Sequence, residues 1–116
     1  PPFELRLLGA GQEEIAPGLV ALPAPGHTPG HTALRVRSGG TEALLVADAF
    51  FHPAQLANPG WRNAADHDPV RAEASRLALL ELVLDRDVVV GACHFPEPGL
   101  GRVRTVDGLP RWLPLV

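Results

Sequence analysis

The chain has 116 residues, of which 46% are hydrophobic and 20% charged, with a net charge of −3, which bounds it to one small domain with an ordinary core. Its ten basic residues are all arginine and form no run or aromatic-interleaved patch; no nucleic-acid footprint is expected, and a lysine Schiff base or P-loop lysine is excluded. The lone Cys93 excludes an intrachain disulfide, and without an apolar run near the roughly 20 residues of a bilayer span or a basic-then-apolar leader in PPFELRLLGAG, no membrane partner and a cytoplasmic location are expected.

In chain order, FELRLL (3–8) reads as a strand, 9–11 as a turn, and EEIAPGLVALPA (13–24) as an extended stretch broken at Pro17-Gly18. PAPGHTPGHT (23–32) follows. Its two histidines have helical spacing, but Pro29 lacks an amide hydrogen and pushes Thr28 towards extended backbone, while Gly26 and Gly30 raise the entropic cost of helix. A rigid loop is expected, with Thr28 and Thr32 as turn hydroxyls. TALRVR (32–37) alternates as a half-exposed strand does. Ser38-Gly39-Gly40 turns the chain into EALLVA (42–47), whose continuous apolar run predicts a strand covered on both faces. From Asp68 to about Leu84 a helix is predicted, with Asp68 as cap and Pro69 in the first turn. Val70, Ala74, Leu77, Leu80 and Leu84 fall on one stripe, expected to pack on a sheet, opposite Glu73, Arg76 and Glu81. DVVVGAC (87–93) is a buried strand, PEPGLG a loop and GRVRTV (101–106) another strand. LPRWLPLV closes the chain, with Trp112 packing onto the sheet. The expected class is α+β: helix packed on one face of a largely antiparallel or mixed sheet.

Three ionisable residues share one setting. His27 lies in the stiff loop, Asp48 directly follows EALLVA, and His94 directly follows VVVGAC. Polar groups at the mouth of a hydrophobic sheet are held rigidly and partly desolvated, which suits metal ligation or acid–base work; taken singly, each is more often an ordinary turn aspartate or satisfied core histidine, and the case rests on the three together. Two imidazoles and a carboxylate are donors suited to zinc or a similar divalent metal, which lowers the pKa of bound water to about 7 and so serves hydrolysis.

PAPGHTPGHT, then LLVADAF some twenty residues on, then GACHFPEPGLGRVR, together resemble the second half of the metallo-β-lactamase superfamily. The last stretch is similar to the branch with methyl parathion hydrolases and quorum-quenching lactonases. The resemblance covers about Glu4 to the end. It implies half of an αββα sandwich, with a helix on one face of a mixed sheet. It also implies two divalent metal ions, zinc first, with manganese, iron or cobalt as alternatives. His27 and His94 would each hold one metal, and Asp48, the catalytic centre, would bridge both. The implied reaction is attack by metal-bound hydroxide on an ester, lactone or phosphotriester bond of a small-molecule substrate. His31 is expected to support a ligand by a hydrogen bond.

Members of that family carry an H-x-H-x-D-H motif ahead of this region. The five histidines here, at 27, 31, 52, 67 and 94, include no pair separated by one residue. Each implied metal therefore has two protein ligands where a catalytic zinc takes three. Residues 1–116 are accordingly expected to be a single C-terminal half-domain whose N-terminal half is absent. Its partner would be that half or a second copy of the chain, and a non-catalytic or partner-completed module is the rival reading. His52, in FFHPAQ, is a candidate for substrate contact or for a plain surface histidine. Phe50, Phe51 and Trp61 suit a pocket wall or core packing equally, and His67 is expected to face solvent. Cys93 is not read as a nucleophile, because adjacent strand residues point to opposite faces.

Overall fold

The computed structural model describes residues 3–116; Pro1 and Pro2, which open PPFELRLLGAG, lie outside the described residues. Seven strands form one sheet in sequential order: β1 (Glu13–Ala16), β2 (Leu19–Pro23), β3 (Thr32–Ser38), β4 (Thr41–Leu45), β5 (Val88–Gly91), β6 (Leu100–Val106) and β7 (Leu109–Pro114). Neighbours are antiparallel except β4 and β5, which run parallel. A parallel pair needs a long crossover. Here it contains a 3-10 turn (Ala47–Ala49), the one-turn helix α1 (Ala54–Ala57) and the long helix α2 (Pro69–Val83). The expected class, a mixed sheet with a helix on one face, is the one observed.

This topology puts three chain segments at one rim. Parallel β4 and β5 end on the same edge of the sheet, with Leu45 opposite Gly91. Because β3 runs antiparallel to β4 and β2 antiparallel to β3, the start of β3 and the end of β2 lie at that edge too. The loop between β2 and β3, the residues after β4 and the residues after β5 are therefore neighbours, as at the carboxyl ends of parallel strands generally.

The core lies between the sheet and α2 and contains Leu22, Leu44, Val46, Leu79, Val83, Val88, Val90 and Val103. The helix begins where expected: the Asp68 carboxylate accepts the Arg71 amide hydrogen at 3.1 Å, and Pro69 occupies the first turn. Its packing stripe differs from the expected one. Ala72, Ser75, Arg76, Leu79 and Val83 face the core, while Val70, Ala74 and Leu77 are exposed. Leucines at 77, 79, 80, 82 and 84 surround most of the helix, so periodicity does not select one face. Arg76 is decisive, only 1% exposed, because its guanidinium finds carbonyl and carboxylate partners inside.

Two further expectations are corrected. Residues 3–8 form no strand. Their apolar side chains stand in solvent because their backbone pairs with no strand among the described residues; the contact there is an Arg6–Glu13 ion pair. EALLVA is covered on one face only: Leu44 is in the core, but Leu45 is 39% exposed on the opposite face. Leu45 pairs laterally with Leu34 and Gly91, and Gly91 with Leu100, so this face is an apolar surface with no layer over it among the described residues. The closing segment forms β7, and Trp112 packs against the core with its ring 4.8 Å from that of Phe95 and perpendicular to it. No helix among the described residues is long and apolar enough to cross a membrane.

Candidate metal centre

The β2–β3 loop is closed by the Ala24 N–H on the His31 carbonyl (2.8 Å) and the Gly26 N–H on the Thr28 carbonyl (3.0 Å). The Thr32 hydroxyl donates to the Gly30 carbonyl, as a turn hydroxyl should. Gly26 has φ +142°, and a Cβ there would stand 2.2 Å from the Ala72 amide nitrogen. Only glycine lets the loop lie this close to α2. Ser75 Oγ donates to the Pro25 carbonyl at 2.6 Å, and the amides of His67 and Asp68 donate to the carbonyls of His27 and Gly26. The loop is thus tied to the helix as well as to the sheet.

At the rim the Asp48 carboxylate lies between two imidazoles. His94 Nε2 donates to Oδ1 at 2.7 Å, and His27 Nε2 is 3.8 Å from Oδ2. The Phe51 ring stands against both, stacked on His94 at 4.3 Å and tilted towards His27 at 5.3 Å. The imidazole nitrogens and the two carboxylate oxygens are donors that a divalent cation of the zinc type accepts, and each imidazole stands beside a different carboxylate oxygen. His31 is buried, with neither nitrogen available to a cation. Its Nδ1–H donates to the Ala24 carbonyl (2.9 Å), and Nε2 accepts the Asp48 amide hydrogen (3.0 Å). The second histidine of the loop therefore fixes the backbone of Asp48.

Asp66 and Arg76 were not singled out by motif or spacing. His27 Nδ1–H donates to Asp66 Oδ1 at 3.2 Å, and the other carboxylate oxygen is 3.5 Å from the Arg76 guanidinium. Both side chains are 1% exposed. Arg76 also donates to the carbonyls of Pro59 (2.7 Å), Ala49 (3.4 Å) and Trp61 (3.4 Å). This chain fixes the His27 tautomer, leaving the lone pair on Nε2, the nitrogen nearer Asp48. An aspartate in the loop segment NAADHD gives no periodic signal, and Arg76 reads in the sequence as part of the polar helix face, so no sequence signal marks the pair.

The other candidates are distributed around this cluster. His52 is exposed and its Nδ1 accepts the Ala54 amide hydrogen at the start of α1. Phe50 is in the core, Trp61 is 60% exposed beside His52, and His67 is exposed. Cys93 contradicts its expected orientation: β5 ends at Gly91, so residues 93 and 94 belong to a turn and need not alternate, and Cys93 Sγ lies with the Asp48 and His94 donor atoms.

Comparison with known proteins bears on the family and the fold. Residues 3–94 match the profile of the Metallo-beta-lactamase superfamily. A curated protein of Mycobacterium tuberculosis, named a probable metallo-hydrolase, is 30% identical over 95 residues, covering 73% of this chain and 31% of that protein. Among solved structures, the dizinc quorum-quenching lactonase AidC superposes with a TM-score of 0.80 at 30% identity, over 90% of this chain and 36% of its own. The hydrolase AbOPH of the beta lactamase superfamily gives 0.81 at 26% identity, over 89% and 36%. The chain thus spans about a third of the length of the relatives it matches. From its sequence match and its sheet alike, the chain belongs to the metallo-beta-lactamase superfamily.

Proposed function

We propose that this chain is the C-terminal half-domain of a metal-dependent hydrolase that cleaves an ester, lactone or phosphotriester bond. The observation that carries the reading is the Asp48 carboxylate, whose two oxygens face different histidines, Oδ1 towards His94 and Oδ2 towards His27. That is the arrangement a bridging carboxylate needs. His27 and His94 would each hold a divalent cation, zinc before manganese, iron or cobalt, with Asp48 as the carboxylate between them. Such ions, when bound, supply an ionised water at neutral pH and stabilise negative charge developing on the substrate oxygen.

The residues of this chain prepare that chemistry. His31 holds Asp48 by its amide, Asp66 and Arg76 hold His27 in the tautomer that presents Nε2, and the Phe51 ring packs against both imidazoles. The proton for the leaving group would come from the complementing segment outside this chain. The remaining ligands come from a segment with H-x-H-x-D-H, and the uncovered sheet face around Leu45 is the surface it would pack against. AidC is a dizinc quorum-quenching lactonase, which supports lactones as the first substrates to try.

The test is to combine the chain with a segment carrying H-x-H-x-D-H, supply zinc, and assay homoserine lactones, aryl esters and phosphotriesters. Turnover of at least one class, abolished by a chelator and by Asp48→Ala, is expected. Zinc bound at full occupancy with no turnover of any class would leave a non-catalytic module as the better account.

A further inference from the structure

We propose that Cys93 is itself a metal ligand, its thiolate joining Asp48 and His94 on one cation, so that this rim selects a thiophilic divalent ion such as zinc, cobalt or cadmium over magnesium or manganese. The proposal rests on the reading of the rim as a metal centre and adds a donor to His27, Asp48 and His94.

One donor atom each from Asp48, Cys93 and His94 lies within 4.8 Å of the other two. In a tetrahedral zinc site, with Zn–S about 2.3 Å and Zn–N about 2.0–2.1 Å, neighbouring donors stand about 3.3–3.7 Å apart. The three atoms reach those separations by shifts of about 1 Å or less, within the range of side-chain torsions. The 2.7 Å contact between His94 Nε2 and Asp48 Oδ1 is shorter than that spacing, so a cation would enter by replacing the proton now shared between them.

The backbone explains why the thiol points here. The Ala92 amide donates to the Gly99 carbonyl at 2.8 Å and the Phe95 amide to the Ala92 carbonyl at 3.1 Å. Residues 92–95 therefore turn back on themselves, and successive side chains can share a side. Sγ sits 3.5 Å from the carbonyl of Ala47, the residue before Asp48, a contact that leaves the sulfur at the edge of the cluster. Free cysteine is ordinarily among the most buried residue types, yet Cys93 is exposed and contributes nothing to the core.

Coordination releases the thiol proton to solvent as the sulfur–metal bond forms. It raises the protein ligands on that cation from two to three within this chain. A thiolate also biases selection towards soft cations, because carboxylate and water alone suit magnesium and manganese.

Cobalt(II) chloride titrated into the full chain tests this directly. Expected are visible ligand-field bands together with a near-ultraviolet thiolate-to-cobalt charge-transfer band. Cys93→Ala and Cys93→Ser should both lose the charge-transfer band while keeping ligand-field bands, with unchanged circular dichroism because the side chain is outside the core. Zinc affinity in both should fall by more than the roughly 10–100-fold that loss of a ligand's hydrogen-bond partner costs. Ligand-field bands without charge transfer, identical in wild type and variants, would overturn the role of Cys93 while leaving the rim as a metal centre. No cobalt spectrum in any of the three would overturn both for this chain.

Discussion

His31 shows how much one side chain in this fold is asked to do. Buried between the loop and the residues after β4, it satisfies the Ala24 carbonyl with one nitrogen and the Asp48 amide with the other. His31→Ala leaves both backbone groups without a partner, which costs about 1–3 kcal/mol for each group that water cannot reach. It also frees the backbone that aims the Asp48 carboxylate. Urea denaturation should therefore report a loss of that order, and calorimetric zinc titration a roughly 10–100-fold weaker affinity. A variant as stable as wild type would show that His31 is dispensable to the loop. At this scale the sequence was partly readable. Spacing and proline placement separated a stiff loop from a helix, and His27, Asp48 and His94 stood out as polar residues at the ends of apolar runs. Asp66 did not, because its role depends on a contact 39 positions away in the chain, and contacts at that distance leave no periodic trace.

Among the elements, α2 illustrates where periodicity succeeds and where it stops. Asp68 and Pro69 mark its start through local chemistry, and the structure begins the helix there. The buried face depends on a tertiary partner: the pocket of carbonyls and the Asp66 carboxylate around Arg76. A charged residue on the expected solvent face is normally neutral on substitution, within about 0.5 kcal/mol. Arg76→Ala should instead cost about 3–5 kcal/mol, because it removes the guanidinium from one oxygen of the buried Asp66 carboxylate and from the carbonyls of Pro59, Ala49 and Trp61; Leu77→Ala, at an exposed position, should cost far less. Thermal or urea unfolding of the two variants distinguishes the faces, and a reversed order would contradict the packing described.

The end of the same helix offers a pH-dependent contact. Asp85, just past α2 at φ +56°, accepts the Thr105 hydroxyl (2.6 Å) and the Thr105 amide (2.8 Å) of β6. The Thr105 hydroxyl first, then its amide, and then the Arg104 charge hold the Asp85 carboxyl below the usual aspartate range, against a small opposing effect of burial. A carboxyl with a depressed folded-state pKa contributes stability that is present above the unfolded value, about 4, and is lost as pH falls through the lower folded value. Asn tolerates the left-handed backbone, so Asp85→Asn isolates the charge. The variant should be less stable than wild type at neutral pH, with the difference shrinking below about pH 4; a difference that does not change with pH would show that the carboxylate charge is not what joins helix and strand.

As a whole, the molecule is a sheet with a helix on one side and an apolar surface on the other. EALLVA reads as a strand covered twice, and in this chain it is covered once. The sequence pattern describes the environment for which the strand is suited, and Leu34, Leu45 and Leu100 share a face that nothing among the described residues overlies. An exposed apolar face of this kind marks an interaction surface. Leu45→Glu should therefore change the stability of the isolated chain by no more than about 0.5 kcal/mol, yet reduce its self-association in sedimentation velocity and its capture of a complementing H-x-H-x-D-H segment. If the variant associates as wild type does, the partner binds elsewhere.

The central claim is that His27, Asp48 and His94 converge to hold metal. Calorimetric titration of zinc into wild type and Asp48→Ala tests it most directly. Saturable binding to the wild-type chain that disappears in Asp48→Ala, with the fold retained by circular dichroism, is the predicted result. Equal binding by both proteins would contradict it.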